Sequence, residues 1–228
     1  AALLEIVRMV GEARGIGALL GQGVRRAAEE IVHNSVEFAL HVKGLEMPAH
    51  DPRAFNGLAV MYATSSRGAH HTSGQTHVYE SRLSMPEINH TPPGPVVVEG
   101  KGILAAKTQN IMNLFDSLKL CKFSQFGGVR LTHLKNWYTY VTGNETTVEE
   151  MLTTGERIFN LKRLINNRLG ISRKDDTLPA RLLTLRRRAE GMSPNLPPLG
   201  EMLAEYYEHR KWTEDGIPSS QILEKLGL

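Results

Sequence analysis

Apolar positions along this chain recur mainly at intervals of three and four, the period of a helix with one buried face. Leu3, Leu4, Val7 and Val10 make one such face, Ile16, Leu19 and Leu20 a second, and Val24, Ala27, Ala28 and Ile31 a third. Glycines at 11, 15, 17, 21 and 23 interrupt the pattern and predict three short helices. Residues 37–42 alternate weakly, which reads equally as a short strand or an extended linker. Pro48 and Pro52 bias the residues before them away from helix, so 43–53 is expected to be loop. Helix should resume over 56–64, and 65–102 reads mostly as loop, closing on "HTPPGP".

Ile103, Leu104, Ile111, Met112, Leu114, Phe115 and Leu118 predict a buried helix over 103–120. Asp116 and Leu120 would then share a face, with Cys121 at the helix end. Thr147 and Glu150 have the spacing of a capping box, opening a helix that runs to about Leu169. Its stripe is Val148, Met151, Leu152, Ile158, Phe159 and Ile165. Two further helices are expected at about 177–190, with Pro179 in its first turn, and 199–211, and a short one in "PSSQILEKLGL". The chain has no internal repeat and no low-complexity stretch. The fold class this predicts is all-α and multihelical, with at most a stray strand pair.

Composition narrows the picture only slightly. With 228 residues, 41% of them hydrophobic, and a mean hydropathy of −0.26, the chain can bury a core as one large domain or two small ones. A net charge of +3 suits an acidic protein partner or an anionic small molecule and does not demand nucleic acid. No run of 18 apolar residues exists to span a membrane. The opening "AALLEIVRMV" is broken by Glu5 and Arg8 and precedes no small-residue cleavage site, so it is not a signal peptide. It also begins without Met inside a helical pattern, which points to a piece of something larger. A single cysteine argues against a secreted disulfide scaffold and fits a reducing cytoplasm.

That cysteine, Cys121, is by chemistry alone either a buried small hydrophobe or one member of a site completed elsewhere. A helix C-terminus disfavours a thiolate unless a metal supplies positive charge. His70, His71, His77 and His90 crowd into one loop-rich region; they lack zinc-ligand spacing, but an imidazole in a cleft suits acid–base work. Arg186, Arg187 and Arg188 lack interleaved aromatics, which favours a solvated face or subunit contact over nucleic acid. Neither GxGxxG nor GxxxxGK[ST] occurs.

Several stretches together carry a resemblance: "VKGLEMPAHDPR" (42–53), "YATSSRGAHH" (62–71), "DSLKLCKF" (116–123), "TGERIFNLKRLINNRLGISRKDDTLPARL" (154–182) and "EYYEHRKWTEDGIP" (205–218). In order and over nearly the whole chain, they resemble the C-terminal half of the aldehyde ferredoxin oxidoreductase family, tungsten- or molybdenum-pterin enzymes. The resemblance implies a helical fold, with residues 1–44 finishing a middle domain and 45–228 forming a C-terminal domain. It implies that "DSLKLC" stands for the family's D-x-x-G-L-C pterin motif. Asp116 would then hydrogen-bond the pterin and the Leu120 backbone would help seat it. Cys121 would be the fourth ligand of a 4Fe–4S cluster. Lys119 stands where the family has glycine.

"SRGAHH" is similar to the family's R-G-A-C-H, so His71 would face the metal–pterin and the substrate carbonyl, with His70 in the cysteine position as second choice. His50 stands where tyrosine is common. The implied reaction oxidises an aldehyde to a carboxylic acid, with electrons leaving through the cluster to ferredoxin. The other cluster ligands and the first pterin motif would precede this chain, in a missing N-terminal domain or a companion subunit, and the chain alone would be inactive. A homo-oligomer in the cytoplasm, with no nucleic acid or membrane partner, completes the expectation. Rival readings are a family member reducing an aromatic acyl-CoA or a carboxylate, and a cofactor-free helical interaction domain.

Overall fold

The computed structural model describes residues 2–31, 33–188, 190–192 and 194–228. It is dominated by helices. The first three, α1 (Ala2–Gly11), α2 (Ile16–Leu20) and α3 (Val24–Ile31), match the glycine-punctuated pattern. α1 buries none of its residues; it touches α2, but Leu3 and Leu4 each stay 73% exposed, so most of its apolar face is uncovered within the described chain. The weak alternation at 37–42 becomes a 3-10 turn, Ser35–Phe38, and the first strand of a hairpin. β1 (His41–Val42) and β2 (Leu45–Glu46) pair antiparallel, His41 opposite Glu46 and Val42 opposite Leu45. Between them Lys43 and Gly44 both take positive φ, as two-residue hairpin turns require.

The core is organised around α6 (Lys101–Ser117), which packs against α4 (Asn56–Thr64), α8 (Val148–Arg168) and α10 (Leu199–Arg210). Every residue of α4 is buried, as its sequence NGLAVMYAT, without a charged position, demands. Ala105 and Ala106 of α6 join one apolar cluster with Leu58, Met61, Phe159 and Tyr206. Ile111, Met112 and Phe115 join a second with Tyr79 and Leu134. α8 can approach α6 only because residue 155 is glycine: a Cβ there would lie 2.3 Å from the Asn110 carbonyl oxygen.

Two buried charge groups tie the elements together. The Glu80 carboxylate, on α5 (Thr76–Ser81), accepts from the Gly57 N–H at 2.7 Å and caps the start of α4, while Lys101 Nζ pairs with it at 2.5 Å. Asp176 binds Lys43 and Arg163, both at 2.9 Å, and accepts from the Tyr207 hydroxyl, so one carboxylate joins the hairpin, α8 and α10.

The capping box is present as expected, Thr147 Oγ1 accepting from Glu150 N–H at 3.1 Å and the Glu150 carboxylate accepting from Thr147 N–H at 2.8 Å. Several expectations need correction. The helix expected over 103–120 ends at Ser117, so Leu120 does not share a helical face with Asp116. The helix expected over 177–190 shrinks to α9 (Ala180–Thr184), with Pro179 as its N-cap; position 189 lies outside the described residues. Arg53 Nη1 takes the Leu185 carbonyl at 2.7 Å, drawing off an acceptor that a continuing helix would use. The stretch 65–102 holds α5 and 3-10 turns at His71–Ser73 and Pro86–Ile88. α7 (Leu131–Thr142) lies in a stretch where periodicity assigned nothing; of its residues only Leu131 and Leu134 are buried. α11 (Ser220–Leu226) is the expected last helix.

Candidate active site

The end of α6 sets the first half of the site. Leu120 N–H donates to the Phe115 carbonyl at 2.9 Å and Lys119 N–H to the Asp116 carbonyl at 3.2 Å, the paired bonds of a Schellman turn. Such a turn places its C′ residue in the left-handed region, and Lys119 has φ +57. The lysine therefore adopts the backbone for which glycine is suited, and the turn survives the substitution. The turn carries Leu120 and Cys121 away from the helix axis. Cys121 is an exposed free thiol, which sets aside the reading of a buried hydrophobe. It begins the 3-10 turn Lys122–Gly127, and Lys122 Nζ reaches back to Asp116 at 2.9 Å.

The second half is the loop from Ser65 to Gln75. Gly68 anchors it, with φ +99 and a position where a Cβ would lie 2.1 Å from the Val42 carbonyl oxygen, so no side chain fits. Asn166 Nδ2 fixes the loop to α8 by donating to the Ser66 carbonyl at 2.6 Å. Arg67 Nη2 donates to His70 Nε2 at 2.7 Å, and because a guanidinium can only donate, Nε2 is the unprotonated nitrogen. His70 Nδ1 then donates to Ser73 Oγ at 2.8 Å. Burial, with help from Arg67, pushes the His70 pKa down to about 4, so the ring is neutral and fully engaged.

His71 is the opposite case. Its Nδ1 is buried with no hydrogen-bond partner among the described residues, as is Nδ1 of His77 on α5. Burial lowers both pKa values, that of His77 to about 4, with His50 close by as a further cause. The His50 ring centroid lies 4.6 Å from that of His71 and 4.7 Å from that of His77.

The loop thus borders two cavities. One, of about 500 Å³, is lined by Arg67, His70, Asn113, Asp116, Leu120 and Lys162. Lys162 Nζ donates to Asn113 Oδ1 at 2.6 Å and is pushed below the ordinary lysine range by burial. The other, of about 350 Å³, is lined by His50, His71 and His77 together with Phe55, Phe123 and Phe126. Of the residues singled out in the sequence, Asp116, Leu120 and His70 line the first cavity and His71 the second, while Cys121 lines neither. Sequence reading missed Arg67, Asn113 and Lys162, whose spacing of 46 and 49 residues leaves no local signal. His90 stands apart, its Nε2 donating to the Tyr79 carbonyl at 2.8 Å. Among the described residues no group of three or more His, Cys, Asp or Glu side chains is arranged to hold a metal ion.

The sequence model of a family described as "Aldehyde ferredoxin oxidoreductase, domains 2 & 3" matches residues 1–228. This chain belongs to that family. It is 34% identical over 226 residues to the tungsten-containing aldehyde ferredoxin oxidoreductase of Pyrococcus furiosus, covering 97% of this chain and 36% of that protein. The enzyme of the same name from Thermococcus kodakarensis is 33% identical over 227 residues, with the same coverage. An aliphatic sulfonate oxidoreductase, WOR-like subunit, of Pyrococcus furiosus is 27% identical over 242 residues, covering 100% of this chain and 34% of that one. The chain therefore spans about a third of the length of these relatives. In structure it is similar to a chain of the active site complex BamBC of benzoyl coenzyme A reductase, with a TM-score of 0.74 at 19% identity. That match covers 99% of this chain and 38% of the other, and it extends to the fold alone. The mostly helical fold expected of the C-terminal part of an aldehyde ferredoxin oxidoreductase relative is what the structure contains, and among the described residues no helix is long and apolar enough to cross a membrane.

Proposed function

We propose that this chain is the C-terminal portion of a tungsten–pterin, iron–sulfur oxidoreductase that oxidises aldehydes to carboxylic acids and passes electrons to ferredoxin. The observation that carries the reading is the end of α6, which presents Asp116, Leu120 and an exposed Cys121 from one left-handed turn beside the His70–His71 loop. The donor chemistry fits the cofactors. Asp116 and Asn113 offer oxygen acceptors for the ring N–H groups of a pterin, and Arg67 and Lys162 offset its anionic parts. An exposed thiol without a pairing cysteine fits a cluster ligand whose companions come from outside this chain. In this reading residues 1–44 close a middle domain and 45–228 form the C-terminal one.

A bound tungsten–pterin supplies the two-electron chemistry and the cluster the one-electron steps. The reaction balances as aldehyde plus water to carboxylic acid, two electrons and two protons. The protein's part is proton handling and placement. His71, whose ring lines the second cavity and whose pKa burial lowers, polarises the carbonyl or takes a proton. His70 does not, because both of its nitrogens are engaged; it orients Arg67 instead. With one thiol, the chain by itself has too few ligands for the cluster and needs the preceding region or a companion subunit.

The test is an anaerobic preparation of the intact enzyme. It should contain tungsten and iron and should reduce ferredoxin when an aldehyde is added. A preparation with neither metal, or one inert to every aldehyde yet active on an acyl-CoA, contradicts the reading.

A further inference from the structure

The turn that ends α6 holds a lysine against its own backbone preference. Lys119 sits at φ +57, a region that residues with a side chain enter at a cost. Strain of this kind points to function where the side chain has something to meet. The Lys119 side chain lines the cavity of about 500 Å³ together with Arg67, Asp116 and Lys162.

The other cations around that cavity are committed. Arg67 donates to His70 Nε2, Lys162 to Asn113 Oδ1, and Lys122 to the Thr72 carbonyl at 2.8 Å besides its pairing with Asp116. The Lys119 ammonium makes no hydrogen bond or ion pair among the described residues. Three basic side chains thus line the cavity against one carboxylate, Asp116, and His70 is neutral there. Lys119 is also exposed and packs in neither apolar cluster, so it gives the fold nothing that glycine would not.

The place of this charge gives it an electrostatic role. Cys121 follows Lys119 by two positions, so their Cα atoms lie within about 8 Å of each other. The last carbonyls of α6 direct partial negative charge at the same turn, which opposes the arrival of an electron there. An uncommitted ammonium counters them. At about 10 Å and an effective dielectric of about 20, one positive charge shifts an equilibrium that adds a negative charge by roughly tenfold.

We propose that Lys119 sets the reduction potential of the iron–sulfur cluster held at this turn. Its free ammonium favours the reduced cluster and so draws electrons out of the cavity and onto it. This rests on the redox reading above and adds the residue that biases electron flow. Lys119 is a ligand of neither metal and acts through its charge alone.

The test is a mediated redox titration of the intact enzyme, with the EPR signal of the reduced cluster as the readout. Lys119→Gln keeps a polar side chain on the same strained backbone and removes the charge; Lys119→Arg keeps the charge. The midpoint should fall by about 59 mV in Lys119→Gln, one tenfold step for a one-electron couple. Lys119→Arg should leave it near the unmodified value, and iron and tungsten content should be equal in all three proteins. An unmoved midpoint in Lys119→Gln, or an equal fall in both variants, overturns the assignment. Tungsten lost from Lys119→Gln with the midpoint unmoved makes Lys119 an anchor of the cofactor and overturns it too. Iron present with an unmoved midpoint sinks only the role of Lys119, whereas iron absent from the unmodified enzyme sinks the redox reading and this role with it.

Discussion

The rings of His70 and His71 are consecutive in sequence and 6.3 Å apart, yet they line different cavities. His70 faces Asp116 and Arg67, with both nitrogens engaged; His71 faces His50 and His77, with Nδ1 free. Removing a group that polarises or protonates a reacting carbonyl costs typically 10²–10⁴-fold. In the intact enzyme His71→Ala should lower kcat by roughly that factor while tungsten, iron and pterin stay at the unmodified level. His70→Ala should be milder, because it frees Arg67 without removing the proton carrier. Steady-state kinetics with metal analysis on both variants checks the ranking, and an essential His70 beside a dispensable His71 reverses the assignment.

Lys119 keeps a left-handed backbone that suits glycine, at φ +57. A side chain in that region costs about 1–2 kcal/mol, part of which glycine returns through its freer unfolded state. Lys119→Gly should therefore stabilise the protein by about 1 kcal/mol. A rise in the denaturant midpoint at constant m reports it.

Asp176 faces two cations and a phenol in a site where its side chain is fully buried. Asp176→Asn keeps the volume and leaves Lys43 and Arg163 without a counter-charge. The expected loss is about 3–5 kcal/mol, the cost of breaking a buried pair from one side. Thermal unfolding of the variant measures it; a change within a degree or two means that the cations find water.

The histidines make stability depend on pH in a definite direction. Burial holds His77 at about 4 in the folded state against 6.5 unfolded. Between those values the unfolded chain binds a proton that the folded chain refuses, so stability is complete above about pH 6.5 and falls as pH drops toward 4. His50, His71 and Arg82 face the same ring and add to the repulsion of its proton. Tm recorded from pH 7 to pH 4 should fall less steeply in His77→Leu than in the unmodified protein, and parallel slopes contradict this.

How legible all this was depended on the range of the interactions. The helix at 148–168 was readable because its cap and stripe are local, and Thr147 and Glu150 announce it. The 177–190 expectation failed because its end is decided by Arg53, more than a hundred residues away. α5 was hidden because it is only six residues long; it buries Val78 and Tyr79, and the buried Glu80–Lys101 pair ties it to α6. In the site, the "DSLKLC" and "SRGAHH" stretches were visible by resemblance. The distinction between His70 and His71 was not, since it rests on which nitrogen meets Arg67 and on how the rings of His50 and His77 close on His71. Asn113 and Lys162 meet only once Gly155 lets α8 settle on α6.

In the proposed enzyme the lone cysteine serves a cluster whose other ligands lie outside this chain. This is tested most directly by iron content and low-temperature EPR of the intact enzyme carrying Cys121→Ala. Iron should fall by up to about four per enzyme, the content of one cubane, and the reduced-cluster signal should be lost or altered. Far-UV circular dichroism should stay unchanged, because Cys121 is exposed and packs in neither core cluster. Full iron content with an unaltered cluster spectrum in Cys121→Ala contradicts it.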